Sequence, residues 1–353
     1  MVVRAGEQRR WGGEIRRQEI FASLAQRTGA SVSDGWPALR RKLFGGRLKR
    51  IAGRLGLASR VPSLRPLAAS EQAPASWLDW LSGYVDPAVV TIYDDGVLQA
   101  RALGVTLSPG RIEELTLRRA RNERTFRWLV VPTASFAEFI GLDMDRVIVG
   151  GNGTVASRVR PGPWPDRPSI GIASGAAPGR GLESLIEAAR MLRGSIPELR
   201  LHLWLASTSA GDLAYVDGLR SEIAADPWIE LGQAPYERLG ETLAAATVLT
   251  IPSPATEYSD VALPVKLFDS MAAGRPLVVT PRHETAAIVE KYGIGVVSRG
   301  DDPSALADAF ATLLSNETLA REMGARARAA AEQEFDWPIV GNRIADEILR
   351  REA

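Results

Sequence analysis

At 353 residues, with 45% hydrophobic and 24% charged residues, the chain exceeds what one hydrophobic core organises and has an ordinary globular composition. A net charge of +1 removes any whole-chain reason to expect nucleic-acid binding, and the lack of cysteine excludes disulfides, a thiol nucleophile and thiolate zinc sites. The opening residues carry too short an apolar run for a signal peptide, and no run approaches the ~20 apolar residues of a spanning helix, so the cytoplasm is the expected location.

In chain order, Gly12 and Gly13 open a helical pattern continued by Ile15, Ile20 and Leu24. Between 40 and 60 eight basic residues occur without one acid, and Phe44, Leu48, Ile51 and Leu55 recur at helical spacing. A basic amphipathic helix of this kind suits an anionic membrane surface, which would make the protein peripheral on the inner face. A helix packed on its own domain with a solvated basic face fits the same pattern, and the glycines at 45, 46, 53 and 56 weaken either helix. Apolar runs at 89–93, 128–131 and 147–149 read as buried strands. Asp94 and Asp95 end the first of these, followed by Gly96. A carboxylate at a strand end can hold or deprotonate an acceptor hydroxyl, and the same residues equally make an Asp-Gly turn with a helix cap. The prolines within 162–165 read as a linker, which sets domains at 1–162 and 163–337 with a last helix in 338–353.

The second half alternates strands and helices. Strands are expected at 168–173, 199–206, 229–231, 247–251 and 276–280, with helices at 182–193, 213–225, 237–245 and 264–273. Such alternation implies parallel βαβ units and a doubly wound sheet, and wholly apolar strands such as 248–251 suit burial on both faces. The loop 174–181 is small and glycine-rich, so backbone there can approach a phosphate beside the N-terminus of the next helix. Gly175, Arg180 and Gly181 are its candidates, with Arg180 able to clamp a diphosphate. Lys266 and Asp269 share one helix face near its start, where a lysine meets phosphate and a carboxylate accepts from ribose hydroxyls. A surface ion pair explains the same spacing. His202 reads as a core residue within a strand and His283 as a loop residue; no metal-binding cluster is visible.

The stretch 252–279 resembles the signature of the group 1 glycosyltransferases, the retaining GT-B enzymes: a Pro-Ser strand end, an acidic loop, a Lys-Leu-Phe-Asp-x-Met-Ala helix and a Gly-x-Pro-Leu-Val-Val strand. In order along the chain, 179–188, 231–239, 293–297, 301–306 and 335–337 resemble further segments of that family, strongly over 167–345. Gly12-Gly13 and Asn152-Gly153-Thr154 match more weakly in the first half. The resemblance implies an α/β chain of GT-B type, two facing Rossmann-like domains with an interdomain cleft. It further implies that Arg180 and Lys266 contact a donor diphosphate, with Leu267 beside them, and that Asp269 binds the ribose. Ala234, Pro235, Tyr236 and Leu239 would line the base pocket, and Gly13 would lie near the diphosphate. The partners implied are a nucleotide-sugar donor and a glycan or lipid-linked acceptor, with no cofactor and no metal. Two departures stand out: Val261 occupies the position of the family's first glutamate, and Asp269 is one methylene shorter than its second. Glu257 and Asp260 are the nearby carboxylates that could substitute for the first. A degenerate GT-B module that binds without turnover, or a nucleotide-sugar epimerase, is the alternative reading.

Overall fold

Two six-stranded sheets, parallel throughout, organise the chain in the computed structural model, which describes residues 2–4, 22–23, 26–27, 32–34, 64–70 and 85–352 with the exception of 208. The first sheet holds β1 (Val2–Arg4), β2 (Val32–Asp34), β3 (Leu64–Ser70), β4 (Val85–Thr91), β5 (Trp128–Val131) and β6 (Val147–Val149) in the order β2-β1-β3-β4-β5-β6. The second holds β7 (Ser169–Gly175), β8 (Arg200–Ala206), β9 (Ile229–Gly232), β10 (Val248–Ile251), β11 (Leu277–Val279) and β12 (Gly295–Val297) in the order β12-β11-β10-β7-β8-β9. Helices alternate with the strands, and the α/β doubly wound class expected from the sequence holds.

The helices are α1 (Gly96–Ala102), α2 (Pro109–Thr125), α3 (Ala134–Phe139), α4 (Leu182–Arg193), α5 (Ala210–Glu222) and α6 (Leu239–Ala244). They continue with α7 (Glu257–Val261), α8 (Val265–Ala272), α9 (His283–Tyr292), α10 (Pro303–Leu314), α11 (Glu317–Gln333) and α12 (Trp337–Glu352). Local chemistry sets their ends. Ser209 caps α5 and exchanges hydrogen bonds with Asp212 in a capping box, so that helix starts earlier than the apolar periodicity from Leu213 suggests. The loop expected to be acidic contains a helix, α7, because Thr256 and Ser259 form a second capping box. The 237–245 helix begins instead as a 3-10 turn at Tyr236–Arg238.

The chain divides into one unit of Met1–Asp95, Ser108–Gly151 and Pro338–Ala353 and another of Gly96–Leu107 and Asn152–Trp337. The break therefore falls at 151/152 rather than at 162, and α1 belongs with the second unit. The reason is close packing: a Cβ added to Gly179 would stand 2.8 Å from the Ala102 carbonyl oxygen, and Gln99 Nε2 meets the Tyr258 hydroxyl at 3.5 Å. The proline-bearing linker segment is bound to the second unit by Arg275, whose guanidinium donates to the carbonyls of Gly162 and Pro163.

In the first unit, Val89, Val90, Leu129, Val130 and Ile148 are buried along the strands, and the last helix adds Val340 and Ile344. Arg127 pairs with Glu352 at 2.8 Å to hold the end of that helix. In the second unit one apolar cluster joins β7 and β8 to α4 and α10, and another joins β10 and β11 to α8 and α11. These two clusters lie under the two βα turns that meet at the reversal of strand order.

Candidate functional site

From β7 the second sheet winds one way through β8 and β9, then returns to β10 on the other side of β7 and continues through β11 and β12. The carboxyl ends of β7 and β10 thus flank a topological switch point, where open α/β sheets leave a crevice for ligands. The loops leaving these two strands are the two segments singled out in the sequence.

They approach as closely as backbone allows. Gly181 has φ of 74°, and a Cβ there would lie 1.8 Å from the Pro252 carbonyl oxygen, so no other residue fits. Gly181 is also the residue before α4, and Arg180 precedes it. Across the switch point, Lys266 lies in the first turn of α8, and its ammonium donates to Ser174 Oγ at 3.4 Å. Burial, and then the charge of Arg180, push the Lys266 ammonium down from its ordinary value to about 7. Two cations and two helix N-termini are thus grouped at the switch point, an arrangement whose charge suits an anion.

Asp269 follows Lys266 by one turn of α8 and is 9% exposed. Its Oδ1 accepts from Thr154 Oγ1 at 2.8 Å, and burial raises its carboxyl to about 7 despite that bond. Thr154 comes from the Asn152-Gly153-Thr154 segment, whose Asn152 Nδ2 also donates to the Leu263 carbonyl oxygen at 2.9 Å, just ahead of α8. The surface ion pair considered for Lys266 and Asp269 does not form: each has a hydroxyl partner elsewhere.

Other expected residues fall into place less uniformly. Ala234, ahead of the 3-10 turn, and Tyr236, its first residue, are partly buried beside α6, with Pro235 exposed between them. Leu239 is packed in the core below. Leu267 is a correction: it is fully buried against the apolar cluster, because it lies about 100° around the helix from Lys266 and so faces the sheet. Glu257 is exposed on α7, while Asp260 pairs with the buried Arg282 at 3.3 Å. Asp95 is held by Arg119 at 2.7 Å within the first unit, and Asp94 beside it is exposed. Gly13 and the basic segment 40–60 lie outside the described residues.

His202 on β8 pairs with Glu230 Oε2 at 3.2 Å and stacks on Trp204, and burial lowers its pKa. His283 is exposed as the first residue of α9 rather than in a loop. Thr154, Ser174 and Arg282 were missed as site residues from sequence. Their partners, Asp269, Lys266 and Asp260 in turn, lie farther along the sequence than any helical or strand period, so local spacing does not reveal them.

Residues 167–316 match the family described as Glycosyl transferases group 1. The chain is 28% identical over 219 residues to D-inositol 3-phosphate glycosyltransferase of Nocardia farcinica, covering 57% of this chain and 46% of that protein. It is 28% identical over 202 residues to the GDP-mannose-dependent monoacylated alpha-(1-6)-phosphatidylinositol monomannoside mannosyltransferase of Corynebacterium glutamicum, covering 56% and 51%. The chain thus spans about half the length of the curated relatives it matches. Among solved structures, Anabaena HepE in complex with UDP superposes with a TM-score of 0.70 over 99% of both chains at 16% identity. The chain accordingly has the GT-B fold, and the likeness to the group 1 glycosyltransferases is carried by residues 167–316.

Proposed function

We propose that the protein is a retaining glycosyltransferase that moves a sugar from a nucleoside diphosphate to an acceptor hydroxyl. The observation that carries this reading is the cationic switch point, where Lys266 and Arg180 stand together with two helix N-termini and a buried carboxylate one turn away. Arg180 and Lys266 bind the diphosphate and meet the negative charge that grows on it as the glycosidic bond breaks. Gly175 and Gly181 let the loop backbone come close. Asp269 accepts from the ribose hydroxyls, and 234–239 borders the base. This assigns the diphosphate charge to the chain's own cations rather than to a metal. For the transferred sugar we favour Asp260 over Glu257, because Arg282 holds it in place. Asp94 and Asp95 remain the carboxylates assigned to the acceptor hydroxyl, Asp94 being the more exposed of the two. Retention rests on the likeness to retaining GT-B enzymes.

The nucleotide is uridine or guanosine diphosphate, by analogy with HepE in complex with UDP and with the GDP-mannose-dependent relative. The names of both curated relatives point to inositol phosphates, one of them within a lipid. An acceptor of that kind, lipid-linked, suits a protein whose segment 40–60 docks on an anionic membrane. Among the described residues no helix is long and apolar enough to cross one.

One assay tests the whole reading: release of UDP or GDP from UDP-glucose and GDP-mannose, without acceptor, with a soluble glycan and with phosphatidylinositol vesicles. Nucleotide release stimulated by the vesicles is the expected result. Stimulation by the glycan alone would leave a glycan acceptor and remove the membrane part. Binding of nucleotide with no release under any condition would instead support the module without turnover, which the valine at 261 favours.

A further inference from the structure

We infer that Thr154 is a positioning residue of the nucleotide site, holding Asp269 in the orientation that receives the ribose. The inference rests on the nucleotide-site reading above. Thr154 Oγ1 donates to Asp269 Oδ1 at 2.8 Å, and among the described residues this is the carboxylate's one hydrogen bond. Both residues are buried, Thr154 at 1% exposure. A hydroxyl that gives its single proton to Oδ1 fixes the carboxylate plane and leaves Oδ2 for a ligand.

The threonine is itself firmly held. Its backbone N–H donates to the Phe335 carbonyl oxygen and its carbonyl oxygen accepts from the Trp337 N–H, both at 2.9 Å. The neighbouring Ala156 N–H donates to Asp336 Oδ1 at 3.0 Å, closing the segment onto 335–337 from both sides. Asn152 meanwhile secures the residue just ahead of α8 through Leu263. The 152–154 segment therefore grips α8 twice, at its entry and at its carboxylate.

Aspartate has one fewer rotatable bond than glutamate, so its reach depends on where its backbone and its partner place it. A buried carboxylate with one hydrogen bond is costly to keep ionised, and that bond opposes the cost. The position demands a donor of small size, which distinguishes threonine or serine from the valine that would fit the same space.

The test is calorimetric binding of UDP, GDP and ADP to wild type, Thr154→Val, Thr154→Ser and Asp269→Asn, and to Asp269→Asn combined with Thr154→Val. Thermal unfolding without nucleotide serves as the control for folding. Thr154→Val should weaken the preferred nucleotide by about tenfold or more, as expected for a lost hydrogen bond to a charged group. Thr154→Ser should stay within about threefold of wild type, and the valine should cost little more once Asp269 is asparagine. Should Thr154→Val not fold, Thr154→Cys, a weak donor of similar size, takes its place with the same expectation. Wild-type affinity in a folded Thr154→Val or Thr154→Cys overturns the inference, as does a loss that Thr154→Ser shares or that persists in full with Asp269→Asn. If wild type binds none of the three nucleotides, the nucleotide-site reading itself fails; if it binds and the threonine is indifferent, only the positioning role fails.

Discussion

Two cations of the second unit, one buried and one half-buried, lie nine residues apart in sequence and live under opposite conditions. Arg275 is 2% exposed and donates to the carbonyls of Ala244, Ala246, Gly162 and Pro163, with Trp164 stacked 4.8 Å from its guanidinium. Among the described residues Lys266 has one hydrogen-bond partner, Ser174 Oγ at 3.4 Å, and it stands beside a second cation. Burial lowers both, Arg275 to about 10 and Lys266 to about 7. The protein meets the first charge with four carbonyls and gives the second a single hydroxyl among the described residues. Arg275 thus builds structure, whereas Lys266 keeps the kind of charge that the proposed nucleotide would answer.

Removal of the structural cation should have the greatest consequence. Arg275→Ala leaves several buried carbonyls without donors, so unfolding in denaturant should show a loss of about 3–5 kcal/mol. Nucleotide affinity of the fraction that remains folded should be unchanged. If Arg275→Ala unfolds like wild type, the carbonyl contacts are dispensable and the comparison loses one of its terms.

On the ligand side, Lys266→Ala and Arg180→Ala should each weaken nucleotide binding or turnover by about 1.5–3 kcal/mol. The unliganded proteins should melt no lower than wild type, since each change relieves like-charge repulsion. A marked loss of thermal stability with unchanged affinity would assign these cations to structure instead.

The smallest effect sharpens the picture through pH. Lys266 carries its charge below about 7, and Asp269 carries its charge above about 7. The proposed nucleotide site uses both charges, so affinity should peak near neutral pH, falling on the alkaline side as Lys266 loses its proton and on the acid side as Asp269 gains one. Stability without ligand runs the other way. The lowered Lys266 makes the folded state resist protonation, so stability rises as pH climbs from about 7 towards the unfolded lysine value. The raised Asp269 makes it favour protonation, so stability falls as pH climbs from the unfolded value towards about 7. Affinity titrations at several pH values check the first pair of slopes. A flat profile in wild type would show that neither group titrates in the working range.

The elements of the second unit were readable because strands covered on both faces are apolar throughout and helices repeat every three to four residues. Short or locally capped elements were not: α7 has five residues, and side-chain capping rather than apolar periodicity makes it helical. Leu267 shows the same limit at the site. Beside Lys266 in a shared motif it looked like part of the binding surface, but one step along a helix turns a side chain from the crevice to the core.

Sequence alone determined the α/β class and the alternation of the second unit, and it marked Arg180, Lys266 and Asp269 as candidates for the proposed nucleotide site, since each depends on residue type and short-range spacing. Tertiary structure decided that Gly96–Leu107 packs with the second unit, that the two loops meet at the reversal of strand order, and that Thr154 rather than a neighbour on α8 holds Asp269. Thr154 and Asp269 are separated by 115 residues. Periodicity and spacing act over a few residues, and a contact of that range exists only after the chain has closed the loop between its ends.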